Sequence, residues 1–299
     1  MNDILDSAVE KASNHVFGAA ILTVFLLAFG LRYYPARNIQ YLQALDPYNL
    51  FRMSQQIAYT GSLPDVDFMR YFPYASPTYV SHQLNLWIPA LMYKAGGFLA
   101  FDSYLGFAKT IAPLFSAFSA VTMYFLGREL YDKYTGLGAA FFIAVIPGAM
   151  FRGSAGFFEK EAIGTFFMMV SLLFFTLAWK NRNWAYGMVS GLALGIFSAT
   201  WGGSQMLWLL YPMIVGFMLL INESTEDLIA AFTPTVIIAA FVGAVFNPDR
   251  LWLSDKQVIL SFGFLGLLWA RYLVEYFEIV AEDRLDYFAP VTYLTGAVI

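Results

Sequence analysis

From Asn183 to Asn222 the chain carries no Asp, Glu, Lys or Arg. A helix that crosses a membrane needs only ~20 residues. A charge-free run of twice that length folds as two crossings, and the glycines of "TWGGSQ" mark where it turns. In lipid every backbone N–H and C=O must be satisfied within the segment, so such runs become helices. The rest of the chain agrees: 59% of residues are hydrophobic and 13% charged, against about one quarter charged in a soluble domain. The surplus of apolar side chains faces lipid rather than a single water-shielded core.

The first apolar run is Val16 to Leu31. "RYYPARN" follows it instead of a small-x-small cleavage site, so it reads as a retained membrane helix. Arg32, Tyr33, Tyr34 and Arg37 read as interfacial anchors. A long segment rich in Pro, Tyr, Asp and Gln follows, about Tyr34 to Lys109; loops of that length are usually functional. Further apolar runs are Thr110–Leu126, Thr135–Met150, Ala162–Trp179, the double run Asn183–Asn222, Leu228–Phe246 and Gln257–Tyr272, with another beginning at Tyr287. The expectation is an all-α, polytopic membrane protein of about eight or nine transmembrane helices, with one long first external loop.

Arg128, Lys133, Lys180 and Arg182 fall in the short loops "GRELYDKY" and "KNRN", which the positive-inside rule places in the cytoplasm. The N-terminus is then cytoplasmic. The 34–109 segment, the break at Glu159–Glu161, the Trp201-Gly-Gly turn and "NPDRLWLSD" lie outside. The acidic loop Asn222–Asp227 falls on the cytoplasmic side in this scheme, and acidic residues contribute little to orientation. The sequon Asn222-Glu223-Ser224 is therefore expected to stay unmodified.

The formal net charge is −4. No basic stripe is available to neutralise phosphates, so a nucleic-acid partner is excluded. The chain has no cysteine, which excludes disulfides, zinc–thiolate sites and iron–sulfur centres. Its only histidines are His15 and His82, so a metal would rest mainly on carboxylates.

Polar residues concentrate in three external segments. In "LDPYNLFRMSQQIAY", Asp46 before Pro47 reads as an N-cap followed by proline at the first helical position. Leu50, Met53 and Ile57 repeat at helical spacing, as in an amphipathic helix on a membrane surface. In "GSAGFFEKEAIG", Glu159 and Glu161 stand at a helix start. There the helix dipole favours carboxylates without any ligand. Two residues apart in mid-helix they would point about 200° apart; at a frayed start they can converge. Two converging carboxylates need a proton or a cation between them, and hard oxygen ligands select Mg²⁺ or Mn²⁺. A solvated cap and a metal pair both fit the spacing. In "SATWGGSQ" the glycines after Trp201 make a hairpin turn. The D-x-D of Asp65 and Asp67 reads as a solvated loop, and His82 lies in the same region.

Together these segments resemble the catalytic subunit of oligosaccharyltransferase, of the single-subunit archaeal kind. The resemblance covers the whole chain in order: a first helix, an external loop beginning "DPY…R", then "RGSAGFFEKEA", then "WGG". The "RGSAGFFEKEA" match is the most specific part. The resemblance implies a GT-C membrane fold over residues 1–299 and a glycosyltransferase that moves an oligosaccharide from a polyprenyl or dolichyl (di)phosphate carrier to Asn in Asn-x-Ser/Thr. It implies Asp46, Glu159 and Glu161 as metal ligands and catalytic groups, Mn²⁺ or Mg²⁺ as the ion, and Arg152 as a catalytic support. His82 and Trp201 become weaker candidates for substrate contact. The expected partners are a lipid-linked oligosaccharide, an acceptor polypeptide and the cell membrane, with the active site extracytoplasmic.

Two departures from the family pattern stand out. Position 159 is Glu where Asp is usual, so the reach is one methylene longer. The family's Trp-Trp-Asp-Tyr-Gly segment is not in this sequence, so the expectation is either the N-terminal part of a longer chain or a shortened paralogue. The competing readings are another GT-C enzyme, such as a protein O-mannosyltransferase that works without metal, a transporter or channel whose acids line an ion path, or a non-catalytic membrane paralogue.

Overall fold

The computed structural model describes residues 2–78, 82–221, 223–246 and 255–277, with side chains from residue 15 onward. The helices are α1 (Asn2–Tyr33), α2 (Asp46–Thr60), α3 (Leu84–Met92), α4 (Phe98–Ala100), α5 (Tyr104–Leu130), α6 (Lys133–Val145), α7 (Pro147–Arg152), α8 (Lys160–Asn181), α9 (Trp184–Thr200), α10 (Gln205–Leu220), α11 (Thr225–Phe246) and α12 (Lys256–Tyr276). Two short strands, β1 (Val66–Asp67) and β2 (Ser76–Pro77), pair antiparallel with Val66 opposite Pro77. Among the described residues six segments are long and apolar enough to cross a membrane: those of α1, α5, α8, α10, α11 and α12. α6 and α9 are shorter apolar helices. The chain is a polytopic helical membrane protein. The charge-free run is divided as expected, into α9 and α10, at the Trp201-Gly-Gly turn. The run from Tyr287, the "NPDRLWLS" loop and Asn222 of the sequon lie outside the described residues.

Contacts divide the chain into two compact units, Met1–Gly61 with Pro89–Met169, and Ser62–Ile88 with Val170–Ile299. In the first, α1, α5 and α6 pack around Val24, Ala28, Ala117, Ala120, Tyr124, Ala140 and Ala144. Apolar surface alone does not drive association in lipid. Small side chains that let backbones approach closely do. Asp132 caps α6 by accepting from the N–H groups of Tyr134 and Thr135 at 2.9 and 2.7 Å. Beside that cap the helices nearly touch: a Cβ on Gly136 would lie 2.4 Å from the Tyr124 carbonyl oxygen.

The expected single helix over Thr135–Met150 is broken in the structure. Ile146 takes an extended conformation (φ −63°, ψ 125°) and α7 restarts at Pro147. A residue before proline is disfavoured in the helical region, and the proline ring suits a first helical turn.

In the second unit α9 lies against α11 along Gly187, Gly191 and Gly195. A Cβ on Gly191 would sit 2.7 Å from the Thr235 carbonyl oxygen. The hydroxyl of Thr235 donates to the Gly187 carbonyl across this contact at 3.2 Å. A buried polar cluster joins Ser171, Ser190 and Tyr211. At one end of this unit Arg182 pairs with Glu226 at 2.7 Å and with Asp227.

Candidate functional site

The acidic segment hangs between α7 and α8, on a scaffold supplied by the end of α1. Arg32 is buried, with 1% of its surface exposed. Its Nη1 donates to the carbonyls of Ala28 and Ala144 at 3.0 and 2.7 Å, and its Nη2 to that of Ile143 at 2.9 Å. The last carbonyls of a helix have no intrahelical partner, and Arg32 takes those at the end of α6, where Pro147 forces the break. This corrects the reading of Arg32 as an interfacial anchor. From the sequence alone, a lone arginine closing an apolar run looks the same in either role. Arg37 is exposed, stacked at 3.5 Å on Tyr34, as an anchor would be.

Past α7 the chain runs tight. A Cβ on Gly153 would meet the Ser116 hydroxyl at 2.4 Å and Arg32 Nε at 2.8 Å. The Ala155 N–H donates to the Arg32 carbonyl at 3.0 Å. Gly156 turns with φ +88°, a left-handed value that favours glycine. Phe157 and Phe158 are buried, and Phe158 meets Phe51 of α2 edge-on at 6.1 Å.

This packing fixes the two glutamates. Glu159 stands just ahead of α8 and Glu161 in its first turn. Because Glu159 is outside the helix, the pair escapes the opposed geometry of a regular helix and converges. Arg152 Nη1 lies 3.4 Å from Glu159 Oε1 and 3.5 Å from Glu161 Oε1. The Glu159 side chain is 5% exposed, that of Glu161 20% and that of Arg152 48%. Burial first, and then the neighbouring Glu161 carboxylate, push the Glu159 carboxyl up to about 7, partly opposed by Arg152 and Lys160. Glu161 Oε2 is buried and no fixed donor among the described residues reaches it, while the proton held by Glu159 is shared with the Glu161 carboxylate. The Arg152 guanidinium offsets part of the charge of the pair.

Asp46 belongs to the same unit. α2 starts at Asp46 itself, one residue earlier than the N-cap reading places it, and no side-chain capping bond is made there. Its neighbour Gln43 is bonded to the acidic segment: the Gln43 N–H donates to the Gly156 carbonyl at 2.9 Å and its Nε2 to that of Ala155 at 3.0 Å. The structure gathers Glu159, Glu161 and Arg152. Asp46 is exposed, and among the described residues no three acidic or histidine side chains are grouped to hold a metal ion.

The remaining candidates lie in the second unit. His82, in a left-handed conformation (φ +57°), rests against the Trp201-Gly-Gly turn; a Cβ on Gly202 would be 3.5 Å from its Nε2. The Trp201 ring covers Gly203 so closely that a Cβ there would lie 2.9 Å from it. The D-x-D divides: Asp65 is exposed, as the solvated-loop reading expects, whereas Asp67 is 3% exposed and accepts from the Met69 N–H at 3.0 Å, so it builds the turn after β1. Sequence reasoning missed Gln43, which carries no local signal, and the Gly187-x-x-x-Gly191-x-x-x-Gly195 spacing, which does.

The fold and site define a polytopic membrane protein with a converging carboxylate pair at the start of a spanning helix. The profile of the family described as Oligosaccharyl transferase STT3, N-terminal, matches residues 17–294, and the chain belongs to that family. The dolichyl-diphosphooligosaccharide–protein glycosyltransferase subunit stt3 of Schizosaccharomyces pombe is 31% identical over 53% of this chain and 21% of its own length. Subunit STT3B of Oryza sativa is 25% identical over 74% of this chain and 31% of its own. The chain thus spans about a fifth to a third of these curated relatives. Archaeoglobus fulgidus oligosaccharyltransferase AglB, solved with an inhibitory peptide and a dolichol-phosphate, shares the fold, with a TM-score of 0.78 at 18% identity over 96% of this chain and 37% of AglB. A second structure of that protein, with zinc and sulfate, gives a TM-score of 0.75 at 17% identity over 93% of this chain and 39% of that one.

Proposed function

We propose that this chain is the membrane-embedded catalytic region of an oligosaccharyltransferase. It moves an oligosaccharide from a polyprenyl or dolichyl (di)phosphate carrier to the Asn side chain of Asn-x-Ser/Thr. The observation that carries this reading is the convergence of Glu159 and Glu161 on one arginine nitrogen, inside the segment matched to the family.

The donor set fits a divalent cation. Glu161 has a buried oxygen that no fixed donor among the described residues reaches, and Glu159 clings to its proton. Both deficits are met by a doubly charged ion, and oxygen donors suit Mn²⁺ or Mg²⁺. The zinc-containing structure of AglB supports a divalent ion in this fold. Glu159 and Glu161 would hold it, with Asp46 completing the set. When bound, such an ion offsets the charge that grows on a departing phosphate. An amide nitrogen is a poor nucleophile because its lone pair is shared with the carbonyl. Asp46, accepting the amide N–H bonds of the acceptor Asn, would twist that amide and free the lone pair. Arg152 orients the two glutamates. His82 and Trp201, gathered at one turn of the second unit, are assigned to substrate contact.

The protein sits in the cell membrane with its N-terminus cytoplasmic and the acids on the far side. The pairing of Arg182 with Glu226 and Asp227 supports this orientation. It sets the acidic loop beside a basic one, at one end of the spanning helices, so that the two loops share a side as the scheme requires and part of the acidic charge is offset.

The test is transfer from a polyprenyl-linked oligosaccharide to an Asn-x-Thr peptide by the chain in its native membranes. Chelation should abolish transfer and Mn²⁺ restore it. Transfer to Ser or Thr that ignores the chelator would instead assign the chain to the O-glycosylating branch.

A further inference from the structure

Gln43 makes two hydrogen bonds to the acidic segment, one from its backbone and one from its side chain. The carbonyls that accept them, of Gly156 and Ala155, are consecutive. Ala155 is fully buried, and its N–H is already held by the Arg32 carbonyl. The Ala155–Gly156 peptide is thus gripped from two sides, by the end of α1 and by the lead-in to α2. The two segments touch there: a Cβ on Gly156 would meet Gln43 Cγ at 3.5 Å and the Tyr41 carbonyl at 3.7 Å, ordinary van der Waals distances.

The positions of these bonds matter for the carboxylates. Asp46 follows Gln43 by three residues and Glu159 follows Gly156 by three. Each acid therefore hangs on a tether no longer than about 11 Å from a common knot. One tether is further shaped by Ala44, which takes a left-handed conformation (φ +64°) disfavoured for a residue with a Cβ. That conformation persists only where the surroundings over-determine it; here the Gln43 bonds fix one side and α2 the other. It turns Leu45 outward, 88% exposed, and starts α2 at Asp46.

We infer that Gln43 is a positioning residue: it ties the lead-in to α2, three residues before Asp46, to the segment that carries Glu159 and Glu161, and so keeps Asp46 within reach of the cation those two would hold. This rests on the function proposed above. Gln43 touches neither ion nor substrate; it acts through the segment it ties. The contribution of its side chain can be separated from that of its backbone, since a substitution removes only the Nε2 bond.

The experiment is Mn²⁺ binding to the purified chain in lipid nanodiscs, read by the electron paramagnetic resonance of free Mn²⁺. Gln43→Met keeps the length of the side chain and removes the donor. The expected result is an affinity lower by about fivefold, the equivalent of ~1 kcal/mol for one neutral hydrogen bond. The decisive comparison is the same change in an Asp46→Ala background. A positioning role predicts no further loss there, because the group being positioned is gone. A general loosening of the fold predicts the same loss in both backgrounds, and that result overturns the proposal, as does unchanged binding by Gln43→Met alone. Gln43→Asn, too short to reach Ala155 but still an amide, gives the same test if Gln43→Met folds poorly. Asp46→Ala separates the two layers of argument: if it leaves Mn²⁺ binding untouched, the assignment of Asp46 to the ion fails, and the role of Gln43 fails with it.

Discussion

Two regions of this molecule are held by different physics. Where Gly187, Gly191 and Gly195 of α9 meet α11, the nearest atoms are backbone carbonyls and apolar side chains. Glycines at 187, 191 and 195 let backbones meet, and the binding comes from close packing with one hydroxyl bond across it. Around the acidic segment the packing is interrupted by carbonyls and carboxylates, and each needs a named partner: Arg32 for the end of α6, Gln43 for Ala155 and Gly156, Arg152 for the glutamates. The first region tolerates no added volume. The second is sensitive to lost donors. A membrane protein can therefore keep a rigid frame and a polar site within one chain, because the two fail for different reasons.

Four substitutions or conditions test that contrast. The largest effect is expected from Gly191→Leu, which drives a side chain into the Thr235 and Pro234 carbonyls and should cost about 3 kcal/mol or more. Thermal unfolding should show it as a large drop in Tm. Gly18→Leu, where nothing lies within 4 Å of the Cβ position, should leave Tm in place. Equal Tm values for the two would break the comparison on the packing side.

Glu161→Gln removes charge without changing shape. Transfer and Mn²⁺ binding should fall about 100-fold, the equivalent of ~2.7 kcal/mol, while Tm barely moves. Normal metal-dependent transfer would remove Glu161 from the site.

Arg32→Met leaves the carbonyls of Ile143 and Ala144 without their donor. A loss of about 2 kcal/mol in stability is expected, with no comparable loss for the exposed Arg37→Met. A differential scan of the two proteins decides it.

The smallest effect, taken per pH unit, is the titration of the carboxylate pair. In the folded chain Glu159 keeps its proton to about 7, against an ordinary value of 4.5. Folding without metal therefore takes up a proton between these values, and stability declines as pH rises through that window and then levels. The cation needs the ionised form, so Mn²⁺ affinity should climb with pH up to about 7, by no more than about tenfold per unit. Flat affinity from pH 5 to 8 would mean that Glu159 is not a ligand.

Much of this architecture was legible in the sequence. The spans follow from apolar runs, because lipid leaves a chain few options other than helices. The charge-free 183–222 stretch was correctly divided at its glycines. The convergence of Glu159 and Glu161 stayed open in the sequence, because it depends on where the helix begins; α8 starts at Lys160, which leaves Glu159 outside it. What stayed hidden were partners far apart in the chain. Nothing local distinguishes an arginine that caps a distant helix from one that meets water, and nothing marks Gln43 among the glutamines of its loop. The break at Ile146 had a local signal in Pro147 that an apolar run masks. Asp67 turned inward for a backbone reason, its bond to the Met69 N–H, which the D-x-D spacing does not reveal.

The position of Arg152 has one further consequence. Its guanidinium lies against both glutamates and stacks at 4.9 Å on the ring of Phe157. The chain thus carries its own placeholder. A tethered monovalent cation makes the apposed carboxylates tolerable to the fold, and under the metal reading proposed above an incoming ion would compete with it for them. Under that reading selectivity would begin at the threshold: a singly charged ion would gain little by displacing an arginine that is already attached, and a more concentrated charge would gain more.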